Sequence, residues 1–177
     1  ARTISVGEIL LPYERFYYPH FLDFRGRAYP TCARLSYQGS DYQRGSLEFA
    51  DGKPIDTVAA LEWLMVHGAN CFGEDKIPTA ERVAWINANE IKIRRVAEDP
   101  IDNRWWTEAD KPFCFLAFCL DYADYLESPT THMSHLPVCM DGSNNGLQVY
   151  SLLLRDEVGG LATNCTPSRK VHDIYQE

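Results

Sequence analysis

The residues with the most to say about chemistry lie around Asp141. An apolar run, Leu136-Pro137-Val138-Cys139-Met140, reads as a strand that delivers this carboxylate into Gly142-Ser143-Asn144-Asn145-Gly146, with an amphipathic helix opening at Leu147. A carboxylate held at a strand end is a hard oxygen ligand suited to magnesium, and the glycines let backbone carbonyls and phosphates approach closely. Two readings stay open on residue type alone, because Asp, Gly, Ser and Asn also dominate ordinary turns. Asp141 by itself cannot hold two metal ions, so a two-metal site requires a second carboxylate from elsewhere.

A second group is Asp23-Phe24-Arg25-Gly26-Arg27. Two arginines around a glycine can aim two planar, permanently charged forks at phosphates; the competing reading is an internal ion pair between Asp23 and one arginine. His67-Gly68-Ala69-Asn70 reads as a helix end and Trp105-Trp106 as packing aromatics, and neither is assigned chemistry. His20, His132 and His135 have no ligand-like spacing with cysteines or acids, so no metal cluster is expected there.

The elements that must position these groups fall into three stretches. Aromatic and turn-rich sequence over residues 1–54 predicts short strands and loops, including one around Ser46-Leu47-Glu48-Phe49. Residues 55–131 predict helices. Asp56 is the expected cap of one with Val58, Leu61, Leu64 and Met65 inward, and Thr79 of another with Val83, Ile86, Ile93 and Ala97 inward. A third begins near Asp110 with Pro112 in its first turn and is apolar nearly all round, as a buried helix would be. The strand from Leu136 follows, then a helix through Leu147, Tyr150, Ser151 and Leu154 ending at Gly159-Gly160, then a helix capped at Thr166-Pro167 that stops short at Glu177. That abrupt stop suggests a piece of something longer or one polypeptide of a split protein.

Bulk properties fit a globular protein with a real core. The 177 residues are 45% hydrophobic and 24% charged, without low-complexity tracts. The densest apolar stretch, Phe113 to Leu120, is far shorter than the roughly 20 residues that cross a bilayer, and no basic-then-apolar leader is visible. Six cysteines without a C-x-x-C pair read as free thiols in a reducing compartment. The net charge of −8 is segregated: residues 1–54 carry +1, residues 55–131 carry −7 and residues 132–177 carry −2. A phosphate-facing surface therefore remains open in the arginine-bearing first segment.

Eight blocks in one order carry a family resemblance. They are FYYPHFLDFRGRAYP (Phe16 to Pro30), LEFADGKPI (Leu47 to Ile55), HGANCFG (His67 to Gly73), Trp105-Trp106, PFCFLAFCLDYA (Pro112 to Ala123), MDGSNNGLQ (Met140 to Gln148), LRDEVGG (Leu154 to Gly160) and Asp173 to Tyr175. Together they resemble the palm and early fingers of the single-subunit DNA-directed RNA polymerases of bacteriophages and mitochondria, over about residues 14–177.

The resemblance implies an α+β fold of short antiparallel palm strands with a mainly helical insertion and the start of the fingers helices. It divides the chain into an N-terminal palm segment (1–54), an acidic helical palm insertion (55–131), a palm strand-turn-helix (132–157) and the start of the fingers (158–177). Asp141 matches the first catalytic aspartate and magnesium ligand, and the Gly142 carbonyl matches its backbone neighbour. Arg25 and Arg27 match arginines near the template and the RNA–DNA hybrid; Tyr175 and Asp173 match positions beside the nucleotide site; Arg155 and Asp156 match a supporting pair at the end of the palm helix. Implied partners are a DNA template, the RNA product, nucleoside triphosphates and the remaining polymerase segment or a complementing subunit, with no membrane. The implied setting is the cytoplasm of a phage-infected bacterium or the mitochondrial matrix.

Departures from the family pattern matter too. Its second catalytic aspartate, in a histidine-aspartate-serine block, has no counterpart in these residues, nor do the fingers residues that bind the triphosphate; Asn144 stands where relatives often carry cysteine. The expected function is template-directed nucleotidyl transfer by a larger or complemented protein, the 177 residues alone being inert. Two alternatives are a phosphohydrolase with Asp141 as nucleophile, disfavoured because Ser143 replaces the acid that would protonate a leaving group, and a noncatalytic nucleic-acid-binding or scaffold module.

Overall fold

In the computed structural model, residues 2–139, 144–168 and 171–174 are described. The architecture is α+β. Among the described residues, seven helices and two small antiparallel two-stranded sheets follow the order α1 (Arg2–Leu10), β1 (His20–Leu22), β2 (Ala28–Pro30), α2 (Asp41–Gly45), β3 (Lys53–Pro54), α3 (Val58–Phe72), α4 (Thr79–Glu98), a 3₁₀ turn (Arg104–Glu108), α5 (Pro112–Glu127), β4 (Met133–Ser134), α6 (Asn145–Leu154) and α7 (Glu157–Ala162). β1 pairs with β2 and β3 with β4, the second ladder joining residues that are about eighty apart in sequence.

The core is the packing of α3, α4 and α5. Leu64, Ile86, Ile93, Val96, Phe115, Phe118 and Tyr122 are almost wholly shielded from water. Burying each such side chain contributes about 1.5–3 kcal/mol, which drives these helices together far more than their propensities do. Phe72 sits at the hub, with ring centroids 4.8 Å from Trp85, 4.9 Å from Trp105 and 5.1 Å from Phe115. Trp105 and Trp106 therefore pack as the sequence suggests, and Trp106 also donates its indole N–H to Pro100 O. Gly68 lets α3 meet α5: a Cβ there would lie 2.5 Å from the Phe118 ring.

Local signals place the helices well and their ends less well. Thr57, not Asp56, caps α3, because its hydroxyl accepts the Ala60 N–H at 3.1 Å. Thr79 is the first residue of α4 after Pro78, not its cap. Val58 is exposed although the pattern puts it inward, and α5 leaves Phe113 and Leu120 partly in water, so it is two-faced instead of buried all round. Lys111 gives α5 no side-chain cap; Asp41 supplies it from α2, accepting the Phe113 N–H at 2.7 Å and the Cys114 N–H at 3.2 Å.

Further departures lie outside the three-helix core. Residues 46–49 form no strand, although Phe49 exchanges hydrogen bonds with His135. The expected strand from Leu136 is instead β4 at Met133–Ser134, and residues 136–139 have no ladder partner. Pro137 lacks the N–H that a ladder would use there. α6 begins at Asn145, two residues before Leu147, and stops at Leu154 where Arg155 turns left-handed at φ 52°. Gly159 and Gly160 thus lie inside a separate helix, α7, and are not the C-cap of α6. Residues 166–168 are not helical. None of the six cysteines is paired; Cys71 and Cys119 are buried, whereas Cys139 is exposed.

Candidate functional site

The segment that leads toward Asp141 is tied down at successive points. Asp121, on α5, accepts from Ser134 Oγ at 2.8 Å with one oxygen and from His132 Nε2 at 3.2 Å with the other. Next along, Phe49 N–H donates to His135 O at 2.9 Å, and His135 Nδ1 donates to Phe49 O at 2.6 Å. Ser134 Oγ also accepts the Leu136 N–H at 3.3 Å. These bonds carry the chain off the helical core, with a carboxylate satisfying two donors at once, an arrangement stronger than neutral pairs.

The last described tie is His67. Its Nδ1 lies 3.4 Å from the backbone nitrogen of Cys139, and its Nε2 lies 3.6 Å from Cys71 Sγ. A backbone N–H can only donate, so Nδ1 accepts and the ring proton sits on Nε2. Burial, then the positive charges of Lys111 and Arg44, push the imidazole down to about 4, with Asp121 opposing. The ring is therefore neutral near pH 7. His67 lies inside α3, about two and a half turns from its start, where the sequence reading saw only a helix end without chemistry.

Beyond residue 143 the chain turns into α6 through Asn144, in the left-handed region at φ 60°. Gln148 secures α6 by donating to Thr163 O at 2.8 Å. Arg155 closes α6, and Asp156 caps α7 by accepting the Val158 N–H at 3.1 Å, while its own N–H returns to Ser151 O at 2.9 Å. Arg155 is exposed and forms the corner between two helices. Asp173, the other described candidate of this end, sits 3.3 Å from Lys76 Nζ in an ion pair with the loop after α3.

Arg25 and Arg27 occupy the tip of the β1–β2 hairpin, whose register pairs His20 with Pro30 and Leu22 with Ala28. Asp23 organises this loop. Its Oδ1 accepts the N–H of Arg25 at 2.8 Å and of Arg27 at 2.9 Å, and its Oδ2 pairs with the Arg25 guanidinium at 3.1 Å. The Arg27 N–H, then Arg25, hold the carboxyl below the usual carboxylate range. Gly26, at φ 76°, supplies the turn that brings both amides to one carboxylate. The internal ion pair of the motif is present between Asp23 and Arg25, while among the described residues Arg27 makes no side-chain ion pair or hydrogen bond. Phe24, 97% exposed, sits beneath Arg25, whose guanidinium carbon is 5.5 Å from the ring centroid.

Asp141, Gly142 and Tyr175 lie outside the described residues. Among the described residues, no group of three or more His, Cys, Asp or Glu is arranged to hold a metal ion. Arg25 pairs with Asp23, Asp156 caps α7 and Asp173 pairs with Lys76. No helix among the described residues is long and apolar enough to cross a membrane.

A family model for DNA-dependent RNA polymerase matches residues 53–177, most of the chain and all of the three-helix core. The chain belongs to that family. The DNA-directed RNA polymerase of Enterobacteria phage T3 is 46% identical over 181 residues, covering 99% of this chain and 20% of the relative. T7 RNA polymerase of Escherichia phage T7 is 44% identical over the same length, with the same coverage. DNA-directed RNA polymerase 2, chloroplastic/mitochondrial, of Arabidopsis thaliana is 42% identical over 177 residues, or 97% of this chain and 17% of the relative. The chain thus spans about a fifth of the length of the curated relatives it matches. The polymerase resemblance read from the ordered blocks is thereby established.

Sequence reasoning missed Asp41, Asp121 and His67 as positioning groups. Asp41 lies in none of the ordered blocks, Asp121 lies in the Pro112–Ala123 block without being singled out, and the partners of both are off their own helices. A signal for His67 was available: a histidine at an inward helical position, flanked by Val66 and Gly68, needs a polar partner when buried.

Proposed function

We propose that this segment supplies part of the catalytic palm of a DNA-directed RNA polymerase, with Asp141 as a magnesium-binding catalytic carboxylate. The observation that carries this reading is the polymerase match around Asp141 together with a described approach, residues 132–139, held by hydrogen bonds from three elements. A carboxylate and the Gly142 carbonyl are both hard oxygen donors, the chemistry magnesium prefers. Magnesium, when bound, would lower the pKa of an RNA 3′-hydroxyl and neutralise charge developing on the α-phosphate of a nucleoside triphosphate.

The chain's own residues have the following roles. Residues 132–139 and α6 fix the chain on either side of residues 140–143. Arg25 and Arg27 hold phosphates of the template or hybrid. In Arg25 the fork is oriented by Asp23 and Phe24, whereas Arg27 offers its whole charge. Asp173 and Tyr175 neighbour the nucleotide site, and Arg155 and Asp156 support it by fixing the α6–α7 corner. The second aspartate, the DNA template, RNA product and triphosphates belong to the longer or complemented protein. In it, residues 1–54 and 132–157 would be palm, 55–131 a helical insertion and 158–177 the start of the fingers. The setting is an intracellular one, as the phage, mitochondrial and chloroplast names of the relatives suggest.

Incubation of the polymerase that carries this segment with a primed template and labelled triphosphates tests the reaction class. Templated extension of the RNA 3′ end is the expected product. Trapping a phospho-aspartate at Asp141 instead would favour the phosphohydrolase reading.

A further inference from the structure

We propose that His67 is a positioning residue for the Asp141 arm: its neutral imidazole, protonated at Nε2, accepts the Cys139 N–H and fixes the chain two residues before the carboxylate. This rests on the proposed role of Asp141.

Three observations carry it. First, the geometry assigns the tautomer, because the ring faces an obligate donor at Nδ1 and a sulfur acceptor one helical turn along at Nε2. Second, the ring is held firmly. His67 is 5% exposed on a helix whose next residue, Gly68, is pressed against the buried Phe118 ring. Third, beyond Leu136, whose side chain packs on the helical core, the Cys139 bond is the hydrogen bond that joins the arm to another element among the described residues. Residues 136–139 have no ladder partner among the described residues, and Val138 and Cys139 border a half-open cavity of about 240 Å³ shared with Trp63, Val66, His67, Asn70 and Arg82. Upstream ties end at Leu136 N–H. At 3.4 Å the Cys139 bond is long for N–H···N, so its value lies in where it holds the chain more than in its strength.

Lys111 and Arg44 face the ring with positive charge and Asp121 with negative, and the net effect with burial favours the neutral form. An imidazolium would set one N–H against another and release the arm. Groups that orient a ligand from behind typically change metal affinity or activity by about 10–100-fold when removed.

The test uses the polymerase that carries this segment, with His67→Leu, His67→Asn and Asp141→Asn compared in primer extension across magnesium and triphosphate concentrations. Leu removes the acceptor; the Asn side-chain carbonyl can restore it. Expected for His67→Leu is a fall in kcat and a rise in the magnesium midpoint, each of about tenfold, with KM for the triphosphate within about twofold. His67→Asn should recover most of both. Equal losses in the two variants, or a His67→Leu enzyme with unchanged kcat and magnesium midpoint, would overturn the proposal. Nitrogen-15 shifts of labelled histidine give a readout independent of activity: protonated Nδ1 at neutral pH sinks the His67 proposal whatever Asp141 does. Full activity of Asp141→Asn with Nε2 protonated sinks the Asp141 reading, and the positioning role with it, but leaves the bond itself intact.

Discussion

Acidification should remove stability through His67, by an amount that its surroundings set. Burial, with Lys111 and Arg44, lowers the imidazole from the ordinary 6.5 to about 4. As pH falls below 6.5, the unfolded chain takes up this proton while the folded chain resists until about 4. The stability gained by keeping the ring neutral is therefore complete above pH 6.5 and lost progressively on the way down to 4. At roughly 1.4 kcal/mol per pH unit, the loss across that window totals about 3 kcal/mol. Carboxylates titrate in the same range, so the comparison must be with His67→Leu, which retains all of them. Urea unfolding of both proteins at pH 7, 6, 5 and 4.5 gives the difference in stability directly. That difference should shrink in the wild type's disfavour by most of the 3 kcal/mol, with the steepest change below pH 6. A difference constant to within about 0.5 kcal/mol would refute a buried, neutral His67.

Three further perturbations probe other parts of the account. Asp41→Ala should destabilise the chain by about 2 kcal/mol, since two α5 amides lose a charged cap, and Asp41→Asn by about half as much; urea midpoints measure both. Gly68→Ala should cost about 1–2 kcal/mol despite its better helix propensity, because the new methyl meets the Phe118 ring at 2.5 Å; calorimetric melting reads the loss. Arg27→Ala in the polymerase should weaken RNA–DNA hybrid binding evenly across sequences and reduce the slope of log affinity against log salt by about one, as read by fluorescence anisotropy.

The helical core was legible because its signal is local. Leu64 and Met65 fit the helical pattern of α3, as Ile86 and Ile93 fit that of α4, and the structure buries all four. The Asp23–Arg25 ion pair was legible as one of the two readings of its motif, since acid, glycine and arginines all lie within five residues. Helix ends were less so: Asp56 and Thr57 are both good caps, and only the Ala60 N–H decides between them. The cap of α5 was invisible because Asp41 is 72 residues from Phe113. Likewise, periodicity could not show that α5 needs Gly68 opposite Phe118, or that Met133–Ser134 would pair with Lys53–Pro54 in place of a strand from Leu136. The candidate site was legible chiefly as an ordered set of polymerase blocks. What the structure adds is the approach to it, through Asp121, Phe49 and His67, three partners that no short spacing connects to residues 132–139.

The central claim is that Asp141 serves catalysis as a metal-binding carboxylate. Single-nucleotide extension by the polymerase that carries this segment, comparing wild type with the near-isosteric Asp141→Asn at saturating template and triphosphate, tests it most directly. Loss of a charged metal ligand should remove several kcal/mol of transition-state stabilisation, a fall in rate of about a thousandfold. Extension by Asp141→Asn within a few-fold of wild type would contradict the account.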